Sequence, residues 1–393
     1  MTDRLRVAMV AACPFPWPRG TPLRIQRMAE TIARRGHDVH VVTYHLGQQP
    51  ADLPFALHRI GNVPGYQRTA PGPTLRKLVL LNPMLVRLLR RLHRRHRFDV
   101  IHAHHYEGLL VALGARTGAP IVYDAHTLLA GELPSYRLGV PRWITRKAGR
   151  YLDRRLPGRA QRVIAVSESI RQTLEKIGAV APGFVRVIPN GVDWESFGVG
   201  SGAPRDSRTV IFTGNLAPYQ GVDLLLRAFA VLHARRPDTR LLILSQAPFG
   251  PYEALARQLG IRAAVEVRNA PFAEQPALLA TAAVAVNPRT QCDGAPMKLL
   301  NYMAAAAPIV SFDGSAALLE HEGTGLRVCD GDVGAMADAI ARLLDDPGLA
   351  RRLGEAARER VRREHSWDLA GAAVEQIYCD AIKEPSRGLR LDG

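Results

Sequence analysis

Residues 209–245 read TVIFTGNLAPYQGVDLLLRAFAVLHARRPDTRLLILS. The apolar runs at both ends have the length of strands, and Asp223–Arg235 between them repeats apolar residues at helical spacing. A strand, a helix and a second strand in direct succession are typical of a βαβ unit, whose two strands are parallel. This stretch therefore predicts a parallel sheet covered by helices.

The same alternation extends in both directions along the chain. Further predicted strands are Arg6–Ala11, Val39–Thr43, Phe98–Ala103, Ile121–Ala125, Arg162–Val166, Val265–Asn269, Val284–Asn287 and Pro308–Phe312. Helical patterns include Leu23–Arg35, Tyr252–Leu259, Glu274–Thr281 and Pro296–Ala305. The loop Val199–Asp206 is rich in Gly, Ser and Pro, as a domain boundary often is. We expect an α/β protein of two Rossmann-like domains, residues 1–198 and 206–365, followed by a helix within 366–393 that is available to return to the first domain.

Composition bounds the class of protein. The 393 residues are 47% hydrophobic and 22% charged, as in soluble globular chains of more than one domain. The four cysteines lie far apart without a CxxC pair, which excludes a disulfide scaffold and a structural zinc site. No apolar run reaches the roughly 18 residues of a membrane span. The first apolar run enters a Pro-rich loop and is therefore interpreted as a strand, not a signal peptide, so we expect an intracellular protein.

The positive charge is concentrated in the first half of the chain. The formal net charge is +16. Residues 1–195 contain 30 Lys/Arg and 13 Asp/Glu, whereas residues 196–393 contain 22 and 23. The first half therefore favours an anionic partner, and composition leaves open whether that is a membrane, a nucleic acid or a phosphorylated substrate.

Several loops at predicted strand ends could bind an anion, although neither GxGxxG nor GxxxxGK[ST] is present. Gly20-Thr21 stands at the mouth of a helix, where free N–H groups suit an anionic oxygen or form an ordinary turn. Asp293 lies just before the predicted helix Pro296–Ala305 and Asn301 lies inside it, so both could contact a ligand that lies across the N-terminus of this helix. Lys298 in its first turn opposes the helix dipole, which a bound phosphate would explain, although a solvated lysine is the common alternative.

Six landmarks occur in one order along the chain. They are Gly36-His-Asp-Val39, Phe98-Asp-Val-Ile-His-Ala-His104, Val163-Ile-Ala-Val-Ser-Glu168, Val187-Ile-Pro-Asn-Gly-Val-Asp193, the Asp293–Met303 segment and the final Ser366-Trp367 helix. Over nearly its whole length the sequence resembles the family-4 retaining glycosyltransferases of the GT-B fold. The resemblance implies two facing Rossmann-like domains with a cleft between them, and transfer of a sugar from a nucleotide-sugar donor.

The resemblance also assigns roles in the second domain. The family's E-x7-E signature falls on Asp293 and Asn301, which implies contacts with the donor sugar and with the ribose. Asn215 and Gln220 stand where the family commonly has Arg and Lys on the diphosphate. Losing two cations should weaken the binding of a diphosphate unless Lys298, Gly20-Thr21 or Arg24 compensates. The predicted donor-binding residues are Gly20, Thr21, Gly214, Asn215, Gln220, Gly294, Pro296, Met297, Lys298 and Asn301.

In the first domain, the resemblance implies that His126 points at the transferred sugar. We therefore predict His126 and Asp293 as catalytic residues, and Arg24 and Glu132 as acceptor-binding residues. His102, His104 and His105 suggest a metal site, but strand geometry separates His105 from the other two and the sequence shows no acid or cysteine beside them.

A second metal motif is also declined. Asp330-Gly-Asp332 matches a DxD motif but precedes a helix, where Asp332 serves as an N-cap. We predict neither a metal nor another cofactor.

Two stretches rich in Lys and Arg indicate which part of the first domain contacts an anionic partner. Residues 75–98 contain eight Lys/Arg and no acid, and residues 134–162 contain nine with the single acid Asp153. Each cation near an anionic leaflet contributes about 1 kcal/mol. No nucleic-acid module accompanies them, and many enzymes of the family glycosylate lipid-linked acceptors. We therefore expect a protein bound peripherally at the cytoplasmic face of the cell membrane, with no nucleic-acid partner.

The sequence thus predicts retaining transfer from a nucleotide-sugar to a hydroxyl of a membrane-associated acceptor. Three alternatives stay open: transfer to a soluble small molecule, a nucleotide-sugar epimerase of the same architecture, and a non-catalytic binder in which Asn215, Gln220 and Asn301 mark an inactive site.

Overall fold

A computed structural model describes residues 4–17, 20–48, 52–69, 72–136, 139–194, 196–198, 205–271, 274–292 and 296–383. The chain forms two compact units. Unit 1 consists of Met1–Pro189 together with Trp367–Gly393, and unit 2 consists of Asn190–Ser366. Each unit has its own sheet and its own buried core.

Unit 1 contains a parallel sheet with strand order β3-β2-β1-β4-β5-β6-β7. Its strands are β1 (Arg6–Ala11), β2 (Asp38–Thr43), β3 (Ala56–Arg59), β4 (Val100–His104), β5 (Ile121–Ala125), β6 (Arg162–Ala165) and β7 (Val185–Val187). Its α-helices are α1 (Gly20–Arg34), α2 (Asn82–His96), α3 (His105–Ala115), α4 (Leu129–Glu132), α5 (Arg142–Arg155), α6 (Glu168–Lys176) and α13 (Trp367–Lys383). A π-helix spans Lys77–Leu81, and 3₁₀ turns span Leu133–Ser135 and Pro157–Arg159. The central strands are buried on both faces, as continuous apolar runs predict for a parallel sheet.

Unit 2 repeats this plan with the strand order β10-β9-β8-β11-β12-β13. Its strands are β8 (Asp206–Thr213), β9 (Arg240–Leu244), β10 (Val265–Arg268), β11 (Ala282–Asn287), β12 (Ile309–Phe312) and β13 (Leu326–Val328). Its α-helices are α7 (Val222–Arg235), α8 (Gly250–Gln258), α9 (Gln275–Thr281), α10 (Met297–Ala304), α11 (Val333–Asp345) and α12 (Pro347–Glu364). Short 3₁₀ turns span Ser196–Gly198, Pro218–Gln220, Arg262–Ala264 and Asp313–Ser315. The two Rossmann-like sheets expected from the alternating pattern are confirmed.

The boundary between the units lies before the Gly-rich loop at which the sequence places it. Val192 and Phe197 are buried against Ile211 and Leu299 of unit 2, which draws the segment after Pro189 into that unit. Much of the loop itself, residues 199–204, lies outside the described residues.

The last helix packs on unit 1, where the chain began. Arg35, which directly follows α1, donates to the Glu375 carboxylate of α13 over 2.6 Å. A Cβ placed on Gly371 would lie 2.4 Å from the Thr31 side chain, so α1 and α13 are in close contact at this point. The return of the C-terminal helix to the first domain is therefore confirmed.

Each sheet has one point at which its strand order reverses. In unit 1 the neighbours at this point are β1 and β4, and in unit 2 they are β8 and β11. The loops that leave the carboxyl ends of two such strands diverge, and the crevice between them is where α/β sheets bind ligands. A site is therefore expected in the loops that follow β1, β4, β8 and β11. These loops lead to Gly20, His105, Gly214 and Pro296, respectively.

None of the described helices combines the length and the apolar character needed to cross a bilayer.

Candidate functional site

Two glycines shape the loop between β8 and α7 in unit 2. Gly214 has φ +141° and Gly221 has φ +70°, and residues other than glycine rarely adopt these backbone angles. A Cβ on Gly221 would lie 2.1 Å from the Pro288 carbonyl oxygen, and one on Gly214 would lie 3.4 Å from Lys298 Nζ. At Gly221 the loop therefore approaches the end of β11 more closely than a side chain would allow, whereas at Gly214 it lies within ordinary contact distance of Lys298.

Lys298 is buried at the centre of this site. Its Nζ donates to Gln220 Oε1 over 2.7 Å and lies 4.1 Å from the centroid of the Phe212 ring. Burial, together with the nearby charge of Arg289, lowers the pKa of Lys298 to about 7. Among the described residues no carboxylate forms an ion pair with it. An ammonium group held in this way is placed to meet an anion.

A chain of amide groups extends from Lys298. Gln220 Nε2 lies 3.4 Å from Asn215 Oδ1, and Asn215 Nδ2 donates to the Tyr219 hydroxyl over 2.9 Å. The Asn215 Oδ1 also accepts the Ala217 N–H. The structure thus brings together Asn215, Gln220 and Lys298, three of the residues predicted to bind the donor.

Helix α10 is fixed to the end of β8. The Tyr302 hydroxyl accepts the Thr213 N–H over 2.8 Å, one residue before Gly214. Pro296 is the N-cap of this helix and Met297 is its first residue. Asn301 is buried one turn after Lys298. Asp293 and Gly294, the other predicted residues of this segment, lie outside the described part of the chain.

A second group of polar side chains lies in unit 1, at the ends of β4 and β5. The Nδ1 of His126 lies 3.2 Å from the Thr21 hydroxyl in the first turn of α1, and its Nε2 lies 3.4 Å from Asp124 Oδ2. Burial lowers the pKa of His126, although the Asp124 charge opposes this. A neutral imidazole is therefore favoured at this position. Two predicted residues, Thr21 and His126, are in contact, and Gly20 begins the same helix.

Arg24 is a buried structural residue and not the surface residue expected of an acceptor contact. Its guanidinium donates to both carboxylate oxygens of Asp124, over 2.9 and 3.2 Å, and to the carbonyls of Ile188 and Pro189. Only 2% of its side chain is exposed. Burial alone would raise the pKa of Asp124, but Arg24 and His126 hold it well below its usual range. The acceptor role that the sequence suggests for Arg24 does not fit this placement, because its donors are directed into the protein.

Asp124 also lies beside two of the three clustered histidines. One ligand atom each from His102, His104 and Asp124 fall within 4.8 Å of one another. The expectation that no acid lies near these histidines is therefore wrong, because Asp124 follows them on the neighbouring strand. Zinc would find N and O ligands here, but the Arg24 guanidinium already occupies both oxygens of the same carboxylate. The absence of a metal stays a prediction. Asp332, by contrast, accepts the Ala335 N–H over 2.9 Å, which confirms it as an N-cap.

His105 is a residue of this region that the sequence interpretation did not select. Its Nε2 lies 2.9 Å from Glu132 Oε2 and 3.2 Å from the Thr127 hydroxyl, while Thr127 and Tyr136 also donate to Glu132. Burial would raise the pKa of Glu132, but His105 and these hydroxyls lower it to about 2. Burial would lower the pKa of His105, but Glu132 raises it overall. Glu132, a predicted acceptor residue, is therefore held as a carboxylate by a charged imidazole.

Comparison with known proteins identifies the family. Residues 18–196 match the family model Glycosyltransferase Family 4, and residues 207–346 match the model Glycosyl transferases group 1. A D-inositol 3-phosphate glycosyltransferase of Catenulispora acidiphila is 30% identical over 75% of this chain and 73% of its own length. An MMP alpha-(1->4)-mannosyltransferase of Mycolicibacterium hassiacum is 26% identical over 96% of this chain and 98% of its own.

Solved structures share the fold. Sucrose-phosphate synthase from Thermosynechococcus elongatus superposes with a TM-score of 0.79 at 20% identity, over 97% of this chain and all of the other. Anabaena HepE in complex with UDP and glucose superposes with a TM-score of 0.72 at 18% identity, over 96% of this chain and 100% of its own. With two parallel sheets, a returning C-terminal helix and both halves matching glycosyltransferase models, this chain belongs to glycosyltransferase family 4 and is a GT-B glycosyltransferase that uses nucleotide-sugar donors.

Proposed function

We propose that this enzyme transfers a sugar, with retention of its anomeric configuration, from a nucleoside diphosphate sugar to a hydroxyl of a membrane-associated acceptor. Binding of the nucleotide-sugar donor is supported by the buried ammonium group of Lys298. This group has no carboxylate partner among the described residues and lies beside the turn at Gly214. Asn215 and Gln220 supply neutral hydrogen bonds where relatives of the family commonly use cations.

The roles of the remaining residues follow from this proposal. Asn301 hydrogen-bonds the ribose, and Asp293 and His126 contact the transferred sugar. Retention requires the acceptor oxygen to arrive on the face that the leaving phosphate vacates. The donor phosphate then takes the acceptor proton, and the neutral imidazole of His126 contacts a sugar hydroxyl. The protein's contribution is to orient both substrates and to exclude water.

Two measurements test the chemistry. In a thermal-shift screen of UDP, GDP and their sugars, at least one nucleotide should raise the melting temperature in proportion to the logarithm of its concentration. Proton NMR of the product should then show the anomeric configuration of the donor. An inverted product would contradict retention, and the absence of a shift with every nucleotide would contradict donor binding.

Helix α5 supports a membrane location because its buried positions are small or polar while its aromatic side chains are exposed. Its buried positions are the small or polar residues Thr145, Gly149 and Asp153. Asp153 accepts the N–H groups that begin α4, and a Cβ on Gly149 would lie 2.5 Å from a backbone oxygen of that helix. These small and polar residues let α5 approach α4 closely, and the half-buried Leu152 packs beside them against Leu129 and Leu133.

The aromatic side chains of α5 are on its outer surface. Trp143 is 67% exposed and Tyr151 is 62% exposed. The exposed cations around them are Arg142, Arg146, Lys147, Arg150, Arg154 and Arg155. A second apolar surface follows Gly72: its exposed residues are Leu75, Leu78, Val79 and Leu80. Aromatic and aliphatic side chains among cations suit the interface of an anionic bilayer.

Helix α2 takes part in this surface less than the sequence suggests. Its apolar residues Leu85, Leu88, Leu89 and Leu92 form one buried face of the helix. Arg90 donates to the carbonyls of Gly114 and Ala115 and so caps the end of α3. We therefore place the membrane contact on α5 and residues 75–80, with the outer arginines of α2 as an added positive field.

Vesicle sedimentation tests this surface. The protein should bind vesicles that contain phosphatidylglycerol more tightly than pure phosphatidylcholine, and salt should weaken the binding. Replacing Arg146 and Lys147 by glutamine should weaken binding about 10- to 30-fold at low salt, at roughly 1 kcal/mol per cation. The Trp143→Ala/Tyr151→Ala variant should also bind more weakly, whereas Leu110→Ala, at another exposed position of unit 1, should not. Equal sedimentation of all variants would contradict the proposal.

A soluble phosphorylated polyol is the second candidate acceptor. It is favoured by the relative from Catenulispora acidiphila, whose name specifies D-inositol 3-phosphate. Supplying this compound with the donor found in the screen separates the two, because turnover without vesicles would favour the soluble acceptor.

A further inference from the structure

Unit 2 has a second cation at the point where its strand order reverses. Arg289 is the second residue after β11, and β11 and β8 are the neighbours at that point. Its charge is one of the causes that lower the pKa of Lys298, so the two groups lie close enough to repel each other. Arg289 is half-buried, which leaves part of its side chain accessible to a ligand. The donor contacts proposed for Asn215, Gln220 and Lys298 do not include it.

These two cations are not balanced by an acid. No carboxylate that the structure describes forms an ion pair with Arg289 or Lys298. Asp313 lies in the 3₁₀ turn that contacts the Arg289 segment, but it pairs with Arg327 over 2.8 Å. Two positive charges side by side cost free energy, because each disfavours the charged form of the other. A ligand with negative charges on two adjacent groups would satisfy both, and a diphosphate is such a ligand.

The guanidinium group of Arg289 is held by one nitrogen and by its face. Its Nε donates to the Gln291 carbonyl over 2.6 Å, and the Ser315 hydroxyl donates to the Arg289 carbonyl. Its Cζ lies 5.0 Å from the centroid of the Tyr219 ring, within the range of a cation–π contact. No described residue accepts a hydrogen bond from Nη1 or Nη2. The fork that binds phosphate oxygens best is therefore open to a ligand.

The loop between β8 and α7 supplies the aromatic ring and fixes it. Asn215 Nδ2 donates to the Tyr219 hydroxyl over 2.9 Å. Tyr219 is 56% exposed, so its ring does not serve the core of unit 2. A Cβ on Gly221 would lie 2.1 Å from the Pro288 carbonyl oxygen, so the same loop packs against the backbone directly before Arg289. An amide and a phenol ring thus place an arginine that comes from the neighbouring strand.

We propose that Arg289 binds the donor diphosphate together with Lys298, and that Tyr219 and Asn215 are the positioning residues that hold it. This rests on the proposed function, in that the ligand is the nucleoside diphosphate sugar. It adds a cation that neither the family resemblance nor the comparisons assign. The positive charge that the family commonly has at position 215 is then supplied from position 289, and the asparagine in its place orients that arginine through Tyr219.

The protonation of Lys298 depends on this arginine. The groups that act on Lys298 are Arg289, which disfavours its charged form, and Cys292, which favours it. Removing the arginine charge should therefore raise the pKa of Lys298. The pH above which the affinity for a nucleoside diphosphate falls should rise with it. A site that is merely misfolded would instead bind more weakly at every pH.

Four variants and a control separate the roles. Arg289→Gln removes the charge, and Arg289→Lys keeps the charge without the planar fork. Tyr219→Leu removes the ring, whereas Tyr219→Phe keeps the ring without the hydroxyl. The matched control is Arg235→Gln, which removes a 59% exposed arginine at the end of α7, away from the carboxyl ends of the strands. Because Arg289 and Tyr219 lie outside the core, all of these variants should melt close to the wild type.

The probes are UDP and GDP, titrated by calorimetry between pH 6 and 9, and uridine and guanosine, observed by saturation-transfer NMR. Arg289→Gln should bind the diphosphate about 10- to 100-fold more weakly than the wild type at pH 6, the range of lost charge-assisted hydrogen bonds. Its affinity should begin to fall at a higher pH than that of the wild type. Arg289→Lys should lie between the two. The nucleoside signal, which reports no phosphate contact, should be the same in all variants.

Tyr219→Leu should weaken diphosphate binding about 2- to 5-fold, the range of an exposed cation–π contact, and Tyr219→Phe should restore most of it. The control Arg235→Gln should bind as the wild type does.

A wild type that binds neither UDP nor GDP would contradict the proposed donor itself. If the wild type binds one of them and Arg289→Gln binds it as tightly as Arg235→Gln does, the role of Arg289 is wrong and the donor site stands. An equal loss of the nucleoside signal in Arg289→Gln would reduce Arg289 to a structural residue. Equal binding by Tyr219→Leu and the wild type would overturn the positioning role of the ring.

Discussion

Replacing Lys298 by methionine should make unit 2 more stable and the donor site weaker. Methionine has a similar length and no charge, so it can follow the same path past Phe212. The wild-type side chain is buried, with its ammonium group on an amide oxygen of Gln220 and over an aromatic ring. Keeping such a buried group charged costs free energy unless an anion binds beside it.

The magnitude follows from the pKa of Lys298. Burial lowers it from 10.5 to about 7. At 1.36 kcal/mol per unit, the charged form is disfavoured by about 5 kcal/mol relative to a solvated lysine. In the methionine variant the buried Gln220 Oε1 loses its donor, which offsets about 3 kcal/mol of this gain. Lys298→Met should therefore raise the free energy of unfolding by about 2 kcal/mol at pH 6, or the melting temperature by about 4–8 °C.

The effect depends on pH in a defined direction. Between pH 7 and 10.5 the unfolded chain binds more protons at this lysine than the folded one, so wild-type stability rises with pH in that window. The advantage of the methionine variant is therefore full below pH 7 and disappears near pH 10.5. The affinity of the wild type for a nucleotide-sugar should decrease above pH 7, because binding must then supply the proton.

The assay compares wild type, Lys298→Met and Lys298→Arg by thermal unfolding at pH 6 and pH 9, and by calorimetric titration with UDP-glucose or the sugar nucleotide found in the screen. Methionine should weaken binding about 10- to 100-fold, the range of a lost charge-assisted hydrogen bond. Arginine, which stays charged, should bind without the pH dependence. A methionine variant that melts lower at pH 6, or that binds the donor as tightly, would refute the reasoning.

Three further predictions concern the framework around the two sites. Arg24→Met should destabilise unit 1 by about 3–5 kcal/mol in urea unfolding, because it leaves the Asp124 carboxylate buried and unpaired; a change below 1 kcal/mol would show that the pair is dispensable. Gly221→Ala should lower the melting temperature, since its Cβ would lie 2.1 Å from the Pro288 carbonyl oxygen and the φ of +70° disfavours alanine, and an unchanged value would argue against the tight turn. Acid should destabilise unit 1 through His58, whose pKa burial and neighbouring cations lower to about 4: stability falls as the pH decreases from 6.5 to 4, and His58→Phe should flatten that part of the profile.

The architecture could be predicted from sequence because it depends on local patterns. Arg6–Ala11 and Ile121–Ala125 are apolar runs whose bounds match the observed strands. The strands that the sequence did not reveal, β3, β7 and β13, are short edge strands whose residues are largely half-exposed or exposed, so their pattern resembles that of a loop.

The donor site could be predicted in part, because Gly214, Asn215 and Gln220 belong to one loop and Lys298 to one helix turn. The contact between Gln220 and Lys298 joins residues 78 positions apart, and the resemblance to a family suggested it where local patterns could not. Pairing over a long sequence distance also explains why the sequence did not reveal the burial of Arg24. Its partner Asp124 is 100 positions away, and a buried arginine looks the same in sequence as an exposed one.

His105 was missed for a different reason. The run His-Ala-His-His indicates chemistry, but neither the positive φ at its last residue nor the contact with Glu132 can be inferred from composition or spacing.

The return of α13 to unit 1 has a consequence for the order in which the protein matures. During synthesis from the N-terminus, unit 2 is complete once Ser366 has emerged, whereas unit 1 still lacks its last helix. The apolar face of α1 and the ring of His102, which hydrogen-bonds Tyr378 over 2.7 Å, stay uncovered until the final helix is made. The half of the enzyme that is translated first is thus the half that is finished last, and a chain truncated shortly after Ser366 would carry a folded unit 2 attached to an unfinished unit 1.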